Sequence, residues 1–360
     1  MMYAFAAAGT GGHVYPALAV ADALVAGGAD PDGIVFFGGH RFEAHAVPAA
    51  GYDFVEVPLI ALRRSLHPAN LRIPLVVHRA ARTMRLQMRR RGVKVLLAMG
   101  GYVTVPARYA IRGSGARMII HEQNAVPGLA NRIAAGVADR VLVAFAAAAT
   151  LPRSEVVGNP LRAEFDGFDR AALRSEARVR YEMPSQGPVV GVMGGSLGAS
   201  VLNETAAAIA AHLPPDSGII HLAGPTNAAA LEPVAAAAPV RWTVLPFENS
   251  MVGFYAGCDL VLCRGGAVTV SELAATATPA VIVPLAIAAA GEQHANAAVL
   301  GSIGAAKVVP QAELDRVPAL VTELVTTPTQ LGEMAAAARR AARPDATMVI
   351  AQAMRSVADG

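Results

Sequence analysis

One device occurs three times in this chain and limits what it can fold into. A short β-rich run ends in a glycine loop, and a helix-like run follows at once. The copies are Ala4–His13 (AFAAAGTGGH), Val189–Ser200 (VVGVMGGSLGAS) and Cys263–Glu272 (CRGGAVTVSE). Glycine lets the backbone turn through positive φ and approach a ligand closely. The first amides of the following helix have no intrahelical partner and favour an anion. Strands that keep feeding helices this way imply a parallel sheet with helices on both faces.

The rest of the sequence keeps that rhythm. Strand-like runs are Tyr3–Ala8, Ile34–Phe37, Tyr52–Val57, Val93–Ala98, Met118–His121 and Arg140–Ala144. Helix-like runs between them are Tyr15–Ala26, Arg41–Ala50, Leu71–Arg91, Val103–Ile111 and Gly128–Val137. The pattern then restarts with strands Val189–Met193, Gly218–Leu222, Val240–Leu245, Leu260–Cys263, Ala280–Val283 and Ala306–Val309. Their helices are Val201–His212, Asn227–Ala237, Val268–Ala275, Gln293–Leu300 and Glu313–Val325. Length 360 suits two such domains. The expected division is 1–160 and 161–342, with the junction at Gly158-Asn159-Pro160 or in the polar segment Glu164–Gln186. The expected fold class is α/β, two doubly wound Rossmann-like domains, with ligands outside the carboxyl ends of the strands and in a cleft between domains.

Composition excludes several classes. The longest nearly apolar runs, Val141–Leu151 and Pro279–Ala290, are too short to span a bilayer as helices. The opening MMYAFAAAGTGG lacks a basic start and does not read as a signal peptide. Two cysteines, Cys258 and Cys263, make neither a disulfide framework nor a zinc set. Charge is uneven: from Val57 through His121 there is no Asp or Glu, yet 13 of the 30 basic residues lie there. Such a segment seeks anions. Leu71, Ile73, Leu75, Val76, Val77 and Met84 stand among Arg72, Arg79, Arg82, Arg85 and Arg89–Arg91. They read as an apolar patch with a basic rim, suited to an anionic membrane surface. A core helix with a solvated charged face is the alternative.

Six motifs carry candidate chemistry. In the first loop His13 stands where a base is useful near neutral pH; an ordinary tight turn is the alternative. In the second, Ser196 offers a hydroxyl to a phosphate oxygen. Neither loop is a P-loop or has full dinucleotide spacing, so a nucleotide-sugar diphosphate fits better than NAD. In the third, a helix beginning at Ala267, with Thr269 and Glu272, offers free amides and a carboxylate for a ribose diol. A Glu merely favourable near a helix start is the alternative there. His121-Glu122-Gln123-Asn124 puts four polar residues at a strand's end, costly to bury without partners. Arg162 follows the junction and is suited to a diphosphate. Gln293, in GEQHANA, offers an amide to sugar hydroxyls.

Seven segments in this order, GTGGHVYPALAVADAL, GGYVTVPA, HEQNAVPGLANR, GNPLR, GGSLGASVLN, CRGGAVTVSELAA and GEQHANA, make the chain similar to the MurG family of GT-B glycosyltransferases. The resemblance covers nearly the whole chain. It implies inverting transfer of N-acetylglucosamine from UDP-GlcNAc to the muramyl 4-hydroxyl of lipid I, giving lipid II and UDP. No metal or other cofactor is implied, and no nucleic acid partner. A peripheral location at the cytoplasmic face of the cell membrane is implied, with a last helix, about 343–358, packed on the first domain. Carried over by motif, Thr10, Gly11, Gly12 and His13 lie at the acceptor and sugar side, with His13 catalytic. Asn124 contacts the GlcNAc, Arg162 and Ser196 face the diphosphate, Glu272 holds the ribose and Gln293 the sugar. The Phe247 region faces the uracil. The chain departs from the family at Ala8, Leu197, Leu222, Glu248 and the alanine-rich stretch before Glu292, which bears on donor affinity more than on reaction class. The alternatives are a related GT-B enzyme with another acceptor, a UDP-GlcNAc 2-epimerase, and a non-catalytic membrane-associated scaffold.

Overall fold

The computed structural model describes residues 1–9, 11–60, 71–286 and 291–359. Thr10, Arg63 and Arg64 lie outside them. The chain divides into two compact units, 1–162 with 344–360, and 163–343.

The first unit carries β1 (Met2–Ala6), β2 (Ile34–Gly38), β3 (Asp53–Glu56), β4 (Val93–Ala98), β5 (Arg117–Glu122), β6 (Arg140–Val143) and β7 (Ser154–Val156). Its helices are α1 (Gly11–Ala26), α2 (Glu43–Ala49), α3 (Ile73–Arg91), α4 (Thr104–Ala110) and α5 (Leu129–Ala134). The strands pair in parallel in the order β3-β2-β1-β4-β5-β6-β7. Alternate residues of the central strands serve opposite faces. Ala4, Ala6, Leu96 and Ile120 join one core, under Met84 and Met88 of α3. Tyr3, Phe5, Phe36 and Leu97 join the other, under α1 and the last helix, Ala346–Asp359. Both faces are covered, so these strands read as continuous apolar runs. The last helix buries Ile350, Met354 and Val357 in that second core. Arg355 Nη2 donates to Leu24 O at 2.9 Å, satisfying a carbonyl of α1's last turn.

The second unit carries β8 (Val189–Met193), β9 (Gly218–Leu222), β10 (Arg241–Leu245), β11 (Leu260–Cys263), β12 (Ala280–Ile282) and β13 (Ala306–Val308). The parallel order is β10-β9-β8-β11-β12-β13. Its helices are α6 (Arg170–Arg180), α7 (Ser200–His212), α8 (Ala228–Ala236), α9 (Met251–Gly257), α10 (Ala267–Ala275), α11 (Glu292–Gly301), α12 (Val317–Val325) and α13 (Pro328–Ala341). Val190, Val192, Leu260, Leu262 and Val281 meet Ile209, Val321, Leu324 and Met334 in its core.

The structure adds one element to the sequence reading and corrects two others. The polar segment Glu164–Gln186 contains α6, capped by Asp169, whose carboxylate accepts from the Ala171 and Ala172 amides. Its charge concealed tertiary work: buried Arg178 donates to Asp259 Oδ2 at 2.8 Å and to the Pro184, Ser185 and Gly187 carbonyls. Met84 lies in the core and adds nothing to an exposed patch, because it falls on the inward face of α3 with Ala80, Ala81 and Met88. Finally α1 begins at Gly11, before the expected start at Tyr15, and runs through Pro16. Pro16 withholds only its own amide bond near the first turns, and His13 therefore stands on the helix itself.

Candidate functional site

In each sheet the strand order reverses direction between two central neighbours, β1/β4 in the first unit and β8/β11 in the second. At such a switch point the loops leaving the two strands diverge and open a crevice at the carboxyl ends. All the motifs singled out by sequence within the described residues belong to these edges or to the segments that follow them.

At the first switch point the loops after β1 and β4 meet. Gly100, at φ +88°, needs glycine on conformational grounds, and a Cβ there would stand 3.4 Å from Asn131 Nδ2 and 3.6 Å from His13 Nε2. His13 is therefore packed beside Gly100 and the amide of Asn131. Burial lowers its pKa from the usual value, opposed by the charges of Glu122 and then Glu43. The balance leaves a neutral imidazole at pH 7, the form that can take a proton.

The two carboxylates are themselves fastened. Glu43, 1 % exposed, accepts from Gly9 N at 3.1 Å through Oε2 and from Gly39 N at 2.8 Å through Oε1. It thus ties together the loops that leave β1 and β2. Buried Glu122 accepts from Asn124 N (2.9 Å), Asn124 Nδ2 (3.3 Å), Gly128 N (2.9 Å) and Asn131 Nδ2 (2.8 Å). Charge-assisted bonds of this kind are what a buried carboxylate requires. They fold Asn124 back over Glu122. His121 Nε2 donates to Gly158 O at 2.9 Å, and burial lowers its pKa to about 4, so it stays neutral. Asn159 Nδ2 donates to Gln123 O at 3.1 Å. The Arg162 guanidinium lies over the Tyr15 ring, 5.4 Å from its centre. Gly11, Gly12, His13, Asn124 and Arg162 thus all lie in the first unit. Glu43 and Asn131 are participants that the sequence reading left out. Nothing local marks Glu43. Asn131 lay inside a quoted motif, six residues before Val137, and only its contacts with Glu122 and Gly100 single it out.

The second switch point is built from backbone. The loop Gly194–Ala199 folds against the turn after β9. A Cβ on Gly198 (φ +76°) would stand 2.0 Å from Ala223 O. Asn203 Nδ2 holds the same carbonyl at 3.1 Å, and His221 Nε2 donates to Asn203 Oδ1 at 3.0 Å. Burial lowers the His221 pKa to about 4. Ser196 and Leu197 stand exposed at the loop's tip, and α7 begins at Ser200. Across the switch point α10 begins at Ala267 with Gly266 extended before it (φ −66°, ψ 139°). Ala267 and Thr269 are half-buried there. Glu272, one and a half turns in, is buried and accepts from Tyr255 Oη at 2.9 Å. Gln293 is drawn to the same place: its carbonyl would meet a Cβ on Gly265 at 2.3 Å, and its Oε1 accepts from Leu285 N at 2.9 Å. Phe247, 43 % exposed, sits in the turn after β10. Ser196, Phe247, Ala267, Thr269, Glu272 and Gln293 thus share the carboxyl edge of the second sheet. Thr10 lies outside the described residues.

Glu248 does not stand bare beside Phe247. It is buried, and its carboxylate accepts from Arg180 Nη2 (2.8 and 2.9 Å), Tyr181 Oη (2.7 Å) and Ser250 N (2.7 Å).

A third feature of the first unit is its surface over α3–α5. Leu71 (84 % exposed), Leu75, Leu86, Tyr109, Leu129 and Ile133 are exposed there, with Tyr102 just before α4. Two arginines of the basic run are occupied in stitching these helices: Arg85 donates to Tyr109 O (2.7 Å) and Arg108 to Ile133 O (2.9 Å), at the carbonyl ends of α4 and α5. Arg91 pairs with Asp53. Arg72, Arg79, Arg82, Arg89 and Arg90 face solvent. No helix of the described residues is long and apolar enough to cross a membrane.

Comparison with known proteins gives consistent results. Residues 3–143 match the model of the glycosyltransferase family 28 N-terminal domain, and residues 189–350 that of the family 28 C-terminal domain. A Mycobacterium avium protein is 41 % identical over 359 residues, covering 97 % of this chain and 86 % of its own. A Paraburkholderia xenovorans protein is 41 % identical over 360 residues, covering 98 % and 94 %. Both are named UDP-N-acetylglucosamine–N-acetylmuramyl-(pentapeptide) pyrophosphoryl-undecaprenol N-acetylglucosamine transferase. The crystal structure of Acinetobacter baumannii MurG superposes with a TM-score of 0.77 at 31 % identity, covering 99 % of this chain and all of that one. The calicheamicin glycosyltransferase CalG4, 15 % identical with a TM-score of 0.68, shares the fold.

Proposed function

The chain belongs to glycosyltransferase family 28, and from that premise we infer that it is an N-acetylglucosaminyltransferase of peptidoglycan synthesis with the GT-B fold. It transfers N-acetylglucosamine from UDP-GlcNAc to the muramyl 4-hydroxyl of lipid I, forming lipid II and UDP. The observation that carries this reading is identity of about 40 % along nearly the whole chain to transferases named for that reaction.

The site chemistry supports a mechanism. Attack on the anomeric carbon by the acceptor hydroxyl needs a base, and the departing diphosphate needs its growing charge met. His13, kept neutral by burial, takes the hydroxyl proton as the new C–O bond forms and the bond to the diphosphate breaks. The amides opening α7 and α10, with the Ser196 hydroxyl and Arg162, receive the charge released onto UDP. Glu272 accepts from the ribose hydroxyls, Gln293 and Asn124 hold the sugar, Gly11 and Gly12 line the acceptor side, and the Phe247 turn holds the uracil.

The exposed apolar residues over α3–α5 and the solvent-facing arginines of α3 bind the anionic membrane surface that holds lipid I. The enzyme is peripheral and works from the cytoplasmic face. UDP release measured from UDP-GlcNAc with and without lipid I tests the activity. Release that depends on lipid I is expected; release without it, or conversion of the sugar without an acceptor, would overturn the reading.

A further inference from the structure

Helix α6 holds α9 at both ends. At the carboxyl end, Arg170 Nη1 donates to Tyr255 O at 2.6 Å and to Cys258 O, and its Nη2 reaches Thr276 O (3.2 Å) and Thr278 Oγ1 (2.5 Å). At the amino end, Arg180 and Tyr181 hold Glu248, and Glu248 in turn holds the amide of Ser250, the residue before α9. Between these anchors Tyr255 of α9 donates to Glu272. One helix therefore fixes both the Phe247–Ser250 turn and the partner of the buried carboxylate.

The arrangement at Glu248 is specific. A buried carboxylate takes three donors from two segments, and one of them closes its own turn. The side chain is directed to α6, while the neighbouring Phe247 ring stays exposed in the turn, between Pro246 and buried Glu248. We propose that the Arg180–Glu248–Tyr181 cluster is a positioning device for the nucleobase end of the donor, and that it sets discrimination among bases by holding the Phe247 turn in one shape. This rests on the reading that the Phe247 turn faces the uracil. The Glu248 carboxylate is taken up by Arg180, Tyr181 and the Ser250 amide, so it acts through the turn.

The test compares Glu248→Leu, Glu248→Gln, Arg180→Leu and Phe247→Ala in the full chain. The readouts are KM and kcat for UDP-GlcNAc and the inhibition constants of UDP and ADP. Glu248→Leu is expected to raise KM and the UDP inhibition constant about tenfold, with a much smaller change in kcat and little change for ADP. The preference for UDP over ADP therefore shrinks. Arg180→Leu moves the same ratio in the same direction. Glu248→Gln, which keeps an acceptor for Ser250 N, falls between Glu248→Leu and the unmodified protein. If Phe247→Ala weakens UDP while both Glu248 variants keep the original UDP-to-ADP ratio, the positioning role is refuted and the nucleobase reading stands. If Phe247→Ala and Glu248→Leu both leave UDP binding unchanged, the nucleobase reading itself is overturned, and the positioning role with it. A fall in melting temperature without a change in the ratio likewise refutes the proposal.

Discussion

The two units share a sheet plan and equip it differently. The first places ionisable side chains at its switch point: His13, with Glu43 and Glu122 fastened by backbone amides around it. The second places glycine loops and the openings of α7 and α10 there, with the buried carboxylate of Glu272 inside α10. Side chains that gain and lose protons suit an attacking hydroxyl. Fixed amides suit a diphosphate whose charge grows as it leaves, because they need no reorganisation. On the proposed mechanism, the difference lets one topology serve two halves of a reaction by changing the residues at its carboxyl edge.

The sharpest break between the halves is expected at His13. His13→Ala should lower turnover by about 10²–10⁴-fold, the usual cost of losing a general base. Steady-state kinetics with saturating UDP-GlcNAc and lipid I checks this. Full turnover would make His13 a packing residue beside Gly100.

In acid the two units should weaken alike. His121 and His221 lie at the ends of β5 and β9, both neutral with pKa about 4. Their folded values lie below the unfolded value of about 6.5, so the unfolded chain takes up protons first as pH falls. Stability is full above about pH 6.5 and is lost as pH falls toward 4, on the order of 3 kcal/mol for each group. Urea midpoints at pH 7 and pH 4.5 measure the loss. Replacing His121 with Gln, which can still donate to Gly158 O, should flatten it, and an unchanged pH dependence would show that His121 titrates normally.

Loop substitutions sharpen the comparison further. Gly198→Ala puts a Cβ 2.0 Å from Ala223 O at φ +76°, so the loop must shift. UDP affinity should drop by about tenfold or more, since αL strain alone costs roughly 1–3 kcal/mol. Gly100→Ala carries the same left-handed strain, at φ +88°, but its Cβ would meet the Asn131 and His13 side chains rather than the second unit's loop, so it should slow turnover and leave UDP affinity nearly intact. Equal losses of UDP affinity in both would deny the separation of roles.

The smallest effect is expected at the surface. Replacing Arg89 and Arg90 with Ala should reduce cosedimentation with anionic vesicles roughly tenfold at low salt. Each basic side chain contributes about 1 kcal/mol there, and screening diminishes it. Arg91 is the wrong choice for this test because it pairs with Asp53. Binding that is equal for both proteins at low salt would remove the membrane role of α3.

What could be read from sequence follows from range. Strands buried on both faces announce themselves as apolar runs, and a glycine loop after β1, β8 or β11 is visible within a dozen residues. Glu43 could not be found that way: its partner Gly9 lies 34 residues away, and RFEAH carries no local sign of a buried carboxylate. Helix α6 was hidden because arginine usually signals solvent, whereas Arg170 and Arg178 spend their donors on carbonyls 6 to 106 residues distant. The short strand Ser154–Val156 has too few residues for a period to show. Met84 shows the converse: α3 carries apolar residues on both faces, Leu75 and Leu86 exposed, Met84 and Met88 buried, and an apolar residue among arginines does not by itself tell which face it takes.

UDP titration calorimetry on two variants tests the division of roles most directly. Glu272→Ala should weaken UDP by about tenfold to a hundredfold, the loss of charge-assisted bonds to the ribose worth roughly 1.5–3 kcal/mol. It also strips Tyr255 of its acceptor, so Glu272→Gln serves as the control that retains that bond. His13→Ala should bind UDP within about twofold of the unmodified protein. Normal UDP affinity in Glu272→Ala, or a loss in His13→Ala as large as the one expected for Glu272, would contradict the account.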